Sequence, residues 1–282
     1  MISVITSAYN ASATIGRAIE SIQAQSYKDW EMIVVDDCSA DGTADVVRSY
    51  ASEDARVRLV THDVNRGAGL ARRTGISHMK GEVMTFLDAD DYLKEDCLET
   101  MLHYMTKHDV DIVSQGYVLV TPEGEVIEEK KSSRKVIQVD GAKFKRNEAD
   151  TKRFMCTMLI RSSLWNKVEY SSRRFIEDTS TLVQILYWAR NIMMIDYAGY
   201  YYVQNPSSLT HATSIVKYLV YRALCVKDMS EFFRAVGMHH LADDASFIAA
   251  YDGALDRSTE KERLAYKTQI DELNEYYKRI KR

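Results

Sequence analysis

The sequence predicts an α/β fold, in which a mainly parallel, Rossmann-like sheet is followed by a helical C-terminal extension. Three observations point to it. Apolar, β-branched runs at residues 2–8, 31–35, 57–61 and 83–87 alternate with segments whose apolar residues recur at helical spacing, the pattern of right-handed βαβ units. Two of these runs end in carboxylates, at Asp36-Asp37 and at Asp88-Ala89-Asp90-Asp91, where open α/β sheets bind their ligands. Beyond residue 211 the strand texture gives way to helical patterns.

The elements follow in order. After the first strand ends at Tyr9-Asn10, Ala13, Ile15, Ala18, Ile19 and Ile22 form one apolar stripe on a helix. The second strand runs into a turn over 36–42, then a helix near 43–51 and a short strand at 57–61. A third helix, 68–79, leads through Gly81 to the strand 83–87. Past a helix near 95–107 come a strand at 111–120, a Pro122-Glu123-Gly124 turn and a charged stretch, 128–153, with nine Lys/Arg and five Asp/Glu. That stretch reads as a solvated loop, with a clamp on an anionic substrate as the alternative. An apolar helix is expected over 182–189. The C-terminal helices are expected at 215–236, closed by Gly237, at 240–254, and from Thr259, where Thr259 and Glu262 have capping-box spacing. In 257–282, Leu264, Ile270, Leu273, Tyr277 and Ile280 share an approximate face and the net charge is +3, a pattern for docking on protein or on a membrane surface.

Composition excludes several classes. At 282 residues, with 46% hydrophobic and 28% charged residues, 2 prolines and 12 glycines, the chain has the make-up of a folded globular protein of one large or two joined domains. A formal charge of -4 lacks the basic footprint of a nucleic-acid binder. The four cysteines are far apart without a C-x-x-C pair, which predicts neither disulfides nor a zinc site and fits a reducing cytoplasm. No apolar run approaches the length of a membrane span, and residue 2 already enters a strand pattern, so a soluble, unprocessed chain is expected.

The acidic strand ends carry the chemistry. If the chain stays extended past residue 87, Asp88 and Asp90 face one side and can converge on a divalent ion, while Asp91 points elsewhere. Hard oxygen ligands in small number suit Mg²⁺ or Mn²⁺ bridging to phosphates. Helix capping by Asp91 is the plainer alternative. At the other strand end, one carboxylate of Asp36-Asp37 can accept hydrogen bonds from a base or ribose, or the pair only shapes a turn before a helix capped by Ser39 or Asp41.

Taken together, several runs resemble the inverting family 2 glycosyltransferases. They are Ser3 to Asn10, Val34-Val35-Asp36-Asp37-Cys38-Ser39 with Asp41-Gly42-Thr43, Asn65-Arg66-Gly67, Ala71-Arg72-Arg73-Thr74-Gly75, and Phe86-Leu87-Asp88-Ala89-Asp90-Asp91. Farther on, Phe175-Ile176-Glu177-Asp178 resembles that family's acidic base motif, and Tyr200-Tyr201-Tyr202 with Ser207 to His211 its tyrosine-rich strand and Ser-Ile-Thr ending. The chain differs from the common pattern at Cys38, Arg73 and Val203. The resemblance implies a GT-A fold, with a nucleotide-sugar-binding half over 1–110, an acceptor-binding half over 111–211 and the helical extension over 212–282. It implies a nucleotide-diphosphate sugar donor, a UDP-sugar first, and Mn²⁺ or Mg²⁺ as cofactor.

By position, the resemblance puts Asp37 at the nucleotide base with Ser7 and Tyr9 lining the pocket, Asp88 against the ribose and sugar, Asp90 on the metal and Asp178 as catalytic base. Arg72 would lie near the diphosphate, unless it is a surface arginine; Asp178 has its own plain alternative as a helix N-terminal charge. Tyr197, Tyr200, Tyr201 and Tyr202 either stack acceptor sugars or pack in the core. The function implied is transfer of one sugar to a glycan or lipid-linked acceptor of a bacterial surface polysaccharide, in the cytoplasm or at the inner face of the membrane. A homodimer or a peripheral membrane contact would use the C-terminal helices. The alternatives are a sugar-phosphate nucleotidyltransferase, whose basic glycine-rich loop residues 7–12 lack, and a catalytically silent sugar-nucleotide-binding assembly module.

Overall fold

The computed structural model describes residues 1–131, 135–138, 154–204 and 214–281. In chain order they form β1 (Ile2–Ala8), α1 (Ile15–Gln23), β2 (Trp30–Asp36), α2 (Thr43–Glu53), β3 (Val57–Thr61), α3 (Ala68–His78), β4 (Val83–Phe86), β5 (Tyr92–Leu93) and α4 (Cys97–His108). The second half adds β6 (Ile112–Val120), β7 (Val126–Lys130), β8 (Lys135–Gln138), β9 (Met158–Arg161), α5 (Glu177–Trp188) and β10 (Asn191–Val203). Four helices follow: α6 (Ile215–Ala235), α7 (Asp244–Arg257), α8 (Glu260–Ala265) and α9 (Lys267–Ile280). One mixed sheet runs in the order β3-β2-β1-β4-β9-β6-β10-β5, with β7 added to β6 and β8 to β10.

The first four of these strands by sequence follow the βαβ expectation, with β1 parallel to both β2 and β4, and β2 parallel to β3. Side chains of β1 serve both faces, as period-two alternation requires. Ile2, Val4 and Ala8 pack with Ile15, Ile19 and Leu98, whereas Ile5 packs with Phe86, Ile112 and Ile160. On α1 the predicted stripe of Ile15, Ala18, Ile19 and Ile22 is fully buried. Next to β4 the direction changes: β9 is antiparallel to both β4 and β6, and β10 then runs parallel to β6. The expected 122–124 turn forms, with Gly124 at a φ of 90° and its N–H donating to the Thr121 carbonyl at 2.9 Å.

Three expectations change. The charged stretch 128–153 is not all loop, because its start lies in β7, paired antiparallel to β6, and its middle includes β8, paired with residues 191–194 of β10. Its side chains on β7 are exposed, so the charge pattern reports solvation while the backbone satisfies free sheet positions; residues 132–134 and 139–153 lie outside the described residues, as do 205–213 with the Ser207 to His211 motif and the 211/212 boundary. The second C-terminal helix begins at Asp244, after a short 3-10 turn at His239–Leu241, because the Asp243 side chain accepts from Ser246 N–H at 2.9 Å. The last segment is two helices, α8 and α9, broken at Tyr266, although the Thr259–Glu262 capping box forms as expected.

That break decides what the amphipathic face does. Leu273 and Tyr276 are buried, and Tyr277 and Ile280 are packed against the same cluster, which also contains Leu224, Phe233 and Phe247 of α6 and α7. Leu264, assigned to this face from the sequence, is 73% exposed. The apolar side of α9 is therefore taken up within the chain. No described helix is long and apolar enough to cross a membrane. Arg173 fastens these helices to the sheet domain, donating to Asp228 on α6 at 2.8 Å and to Glu272 on α9 at 2.7 Å. Replacing the fully buried Leu273 with Ala should cost about 2–5 kcal/mol of unfolding free energy in urea. Leu264→Ala, at an exposed site, should stay within about 0.5 kcal/mol of the parent; equal losses would contradict the docking described.

Candidate functional site

The site grows from the carboxyl end of β4. Leu87 N–H still donates to Ile5 O at 3.0 Å, but the chain then closes a turn, with Asp91 N–H donating to Asp88 O at 3.1 Å. The extended backbone expected to put Asp88 and Asp90 on one side is thus replaced by a turn, because Asp91 is drawn inward. Asp91 is 1% exposed and accepts from Tyr200 O–H at 2.6 Å and Val203 N–H at 2.8 Å. It caps no helix; α4 starts only at Cys97. Burial, with the charges of Asp88 and Asp90, pushes its carboxyl up to about 8. Asp90 is raised too, by burial and by Asp88, against the opposing charge of Arg17, whose guanidinium donates to the Asp90 carbonyl at 2.9 Å.

Among the described residues no group of three or more His, Cys, Asp or Glu side chains could hold a metal ion by itself. Asp88 and Asp90 could supply one or two oxygen ligands. Mg²⁺ and Mn²⁺ sites of this kind complete their shells with phosphate oxygens and water, and a cation would relieve the repulsion that raises Asp90. The donor set fits such an ion.

Arg72, on α3, joins this turn to a distant segment. Its guanidinium donates to Asp88 Oδ1 at 2.8 Å, to Glu177 Oε1 at 2.7 Å and to the Tyr170 hydroxyl at 3.1 Å. With its side chain 15% exposed, it is no surface arginine. Burial disfavours its charge, but Tyr170, Asp88 and Glu177 outweigh that and hold its pKa well above the ordinary value. Glu177 is buried, and that burial raises its carboxyl against the pull of Arg72. Its neighbour Asp178 stays partly exposed, touched at 3.4 Å by the Thr179 hydroxyl. Both acids start α5, directly after Ile176, a β-branched residue at a φ of 57°. Such a backbone state persists only where its surroundings enforce it.

Small residues let the two segments meet. A Cβ on Gly69 would lie 2.3 Å from the Ser171 carbonyl oxygen and 3.1 Å from Glu177 Cγ, so only glycine fits there. Alongside, Arg174 donates to the Asn65 carbonyl at 2.7 Å.

The other predicted residues lie at the ends of β1 and β2. Ser7 is half-buried and Tyr9 is 54% exposed. Asn10 and Ser39 tie the two loops together, with Asn10 N–H donating to Ser39 Oγ at 2.9 Å and Ala40 N–H to Asn10 Oδ1 at 3.0 Å. Asp41 accepts from Ser12 N–H at 3.0 Å and from Thr43 N–H at 3.1 Å. Burial works against its charge, but the bond from the Thr43 hydroxyl, together with these, holds its carboxyl well below the ordinary range. Asp37 is 2% exposed and both its oxygens are engaged: Oδ1 with His62 Nδ1 at 2.7 Å and Arg66 N–H at 2.9 Å, Oδ2 with Gly67 N–H at 2.6 Å. Sequence reasoning passed over His62; its one signal was a polar ring at the end of a strand beside the Asp36-Asp37 strand.

The tyrosines divide. Tyr200 is core and holds Asp91; Tyr197 donates to Asp96 at 2.6 Å; Tyr201 stacks on Tyr92 with centroids 4.6 Å apart. Tyr202 meets Phe154 in a stacked pair at 6.3 Å and Tyr117 edge-on at 6.3 Å. Phe154 is 42% exposed, so this aromatic shelf is open on one side.

Residues 3–167 match the model of the family described as "Glycosyl transferase family 2". The chain belongs to that family. Among its relatives, TuaG of Bacillus subtilis (strain 168), named for teichuronic acid biosynthesis, is 40% identical over 44% of this chain and 49% of its own length. GlyG, a glycosyltransferase of Streptococcus pneumoniae serotype 4, is 29% identical over 74% of this chain and 72% of its own. WfgD of Escherichia coli, named as a UDP-Glc:alpha-D-GlcNAc-diphosphoundecaprenol beta-1,3-glucosyltransferase, is 33% identical over 43% of this chain and 47% of its own. The chain thus spans about half the length of TuaG and of WfgD. In fold, S. aureus TarS 1-349 in complex with UDP-GlcNAc aligns with a TM-score of 0.67 at 19% identity, over 99% of this chain and 91% of that one. PcManGT of Pyrobaculum calidifontis, a mannosyltransferase in complex with GDP-Man and Mn²⁺, gives 0.57 at 18% identity, over 95% and 78%. The mixed sheet with its helices is a GT-A fold.

Within this family 2 chain the three departures have local partners. Cys38 takes the left-handed conformation, at a φ of 64°, that a glycine would adopt freely. Arg73 pairs with Glu169, and Val203 is buried with its N–H on Asp91. Because Tyr200 O–H is a direct partner of a buried acid, Tyr200→Phe should lower stability by about 1–3 kcal/mol in urea unfolding with secondary structure intact. A parent-like midpoint would mean that the hydroxyl does not hold Asp91.

Proposed function

We propose that this protein transfers a sugar, with inversion, from a nucleotide-diphosphate sugar to a glycan or lipid-linked acceptor in bacterial surface polysaccharide synthesis. The observation that carries the reading is the ion-pair chain from Asp88 through Arg72 to Glu177, which ties the acidic turn to the start of α5, where Asp178 is partly exposed. UDP-GlcNAc bound by TarS and the UDP-Glc in the name of WfgD favour a UDP-sugar over other donors, and the diphosphoundecaprenol in that name favours a lipid-linked acceptor. Such an acceptor would keep a cytoplasmic enzyme at the inner face of the membrane. With the apolar side of α9 covered, contact with a membrane or a second subunit would need another surface.

In this reading Asp37, Ser7 and Tyr9 form the base end of the donor site. Asp88 faces the ribose and sugar, and Arg72 lends positive charge near the diphosphate. Asp90, with Asp88, would hold Mn²⁺ or Mg²⁺, whose chemistry is to neutralise charge on the departing diphosphate. The acceptor hydroxyl oxygen bonds to the anomeric carbon as the bond from that carbon to the diphosphate oxygen breaks, and its proton passes to Asp178. Glu177 is the poorer base, since its carboxylate is buried and spent on Arg72. The shelf of Tyr117, Phe154 and Tyr202 offers an acceptor pyranose a ring face.

Thermal shift with UDP-, GDP-, CMP- and dTDP-sugars, with and without Mn²⁺, should identify the nucleotide by a raised melting temperature. Turnover would separate an enzyme from a silent binding module. Asp178→Asn should cut turnover by about 10² to 10⁴-fold with donor affinity nearly unchanged; near-normal turnover would remove Asp178 from the mechanism. For the ion, calorimetry should find donor affinity rising with Mn²⁺ in the parent and insensitive to it in Asp90→Ala. Full turnover in excess chelator would contradict metal dependence.

A further inference from the structure

His62 stands at the junction of three elements. At the end of β3, with 6% of its side chain exposed, it reaches Asp37 at the end of β2 through Nδ1 at 2.7 Å and the Thr74 hydroxyl on α3 through Nε2 at 2.9 Å. Asp37 in turn fixes a loop. Its carboxylate accepts Arg66 N–H at 2.9 Å and Gly67 N–H at 2.6 Å, and its backbone carbonyl accepts the Asn65 side-chain amide at 3.3 Å. Three successive residues thus hang on one aspartate, and one imidazole sets the direction of that aspartate. The loop includes Gly67 at a φ of 90° and receives Arg174, three residues before Glu177, on the Asn65 carbonyl.

We infer that His62 is a positioning residue for the nucleotide end of the donor site, its Nδ1–H holding Asp37 in the orientation that folds residues 65–67 into the pocket wall. The inference rests on the donor reading given above. A buried carboxylate with two N–H donors from a loop can rotate away unless a third donor closes its arc, and His62 supplies that donor. Thr74 satisfies the far ring nitrogen, while the bond to Asp37 is the one that sets the ring.

The two bonds of the ring can be separated by substitution. Asparagine carries an N–H donor near the Nδ1 position and can keep the bond to Asp37. Glutamine reaches towards the Nε2 position and keeps only a partner for Thr74. Thr74→Val removes that far bond alone. Two readouts apply to all variants: hydrogen exchange of the Arg66 and Gly67 amides, which needs no ligand, and UDP affinity by calorimetry. His62→Gln should speed exchange at both amides and weaken UDP binding by about ten- to a hundredfold, the scale of a lost charge-assisted hydrogen bond. His62→Asn and Thr74→Val should stay within about threefold of the parent in both. A glutamine variant with parent-like exchange would overturn the inference, as would an asparagine variant that loses protection as fully as glutamine, because ring packing would then be the cause. If the parent binds no UDP or other nucleoside diphosphate, the donor reading fails, while the exchange arm still decides whether His62 sets Asp37 and its loop.

Discussion

One buried cation organises this molecule. Arg72 has a side chain 15% exposed and is bonded to carboxylates separated by 89 positions, Asp88 at the end of β4 and Glu177 at the start of α5. A buried guanidinium is tolerated only with its partners in place, and removing one partner of such a pair typically costs about 3–5 kcal/mol. The first βαβ units and the segment before α5 are therefore not free to drift apart. Glycine at position 69, pressed against the Ser171 carbonyl, allows the approach that the ion pairs then hold.

A second tie works from the far side. Arg173 is clamped by Asp228 and Glu272, whose carboxyl is held down at about 2 first by its hydrogen bond from Arg173. The C-terminal helices thus brace the stretch that contains Ile176 in its left-handed conformation. Strained backbone is kept where packing over-determines it, and here it turns Glu177 inward while leaving Asp178 on the open side. The helical extension supports the candidate site through this brace, and among the described residues it places none of its own beside Asp88 or Glu177.

Much of the fold was legible in the sequence because it rests on local signals. Apolar, β-branched runs mark β1 to β4, and the apolar stripe of α1, the 122–124 turn and the Thr259 capping box each follow from side-chain chemistry within a few residues. What escaped depends on distant partners. Nothing near Asp91 indicates that Tyr200 and Val203, more than a hundred positions away, pull it inward and convert an extended run into a turn. The same holds for β7, whose charged side chains are exposed, and for the backbone of β8, since the pairing of both is decided by open edges of β6 and β10. Leu264 matched the periodicity of α9 only while the segment was taken as one helix; the break at Tyr266 rotates it out. Of the site, the acids at strand ends could be read directly, whereas the service of Arg72 to two of them at once could not.

The two acids at the start of α5 illustrate how far geometry separates residues that sequence cannot. Adjacent positions on a helix point about 100° apart, so one can face the core while the next faces solvent. Glu177 takes the inner course, where burial raises its proton affinity and Arg72 claims its oxygen. A carboxylate so paired would have to give up its ion pair to accept a proton, leaving a buried guanidinium with one partner fewer. Asp178 carries no such ion pair among the described residues; the hydroxyl of the next residue donates to it at 3.4 Å. The difference between them follows from the turn at Ile176: the inner acid ties α5 to α3 and the end of β4 through Arg72, and the outer one stays partly exposed.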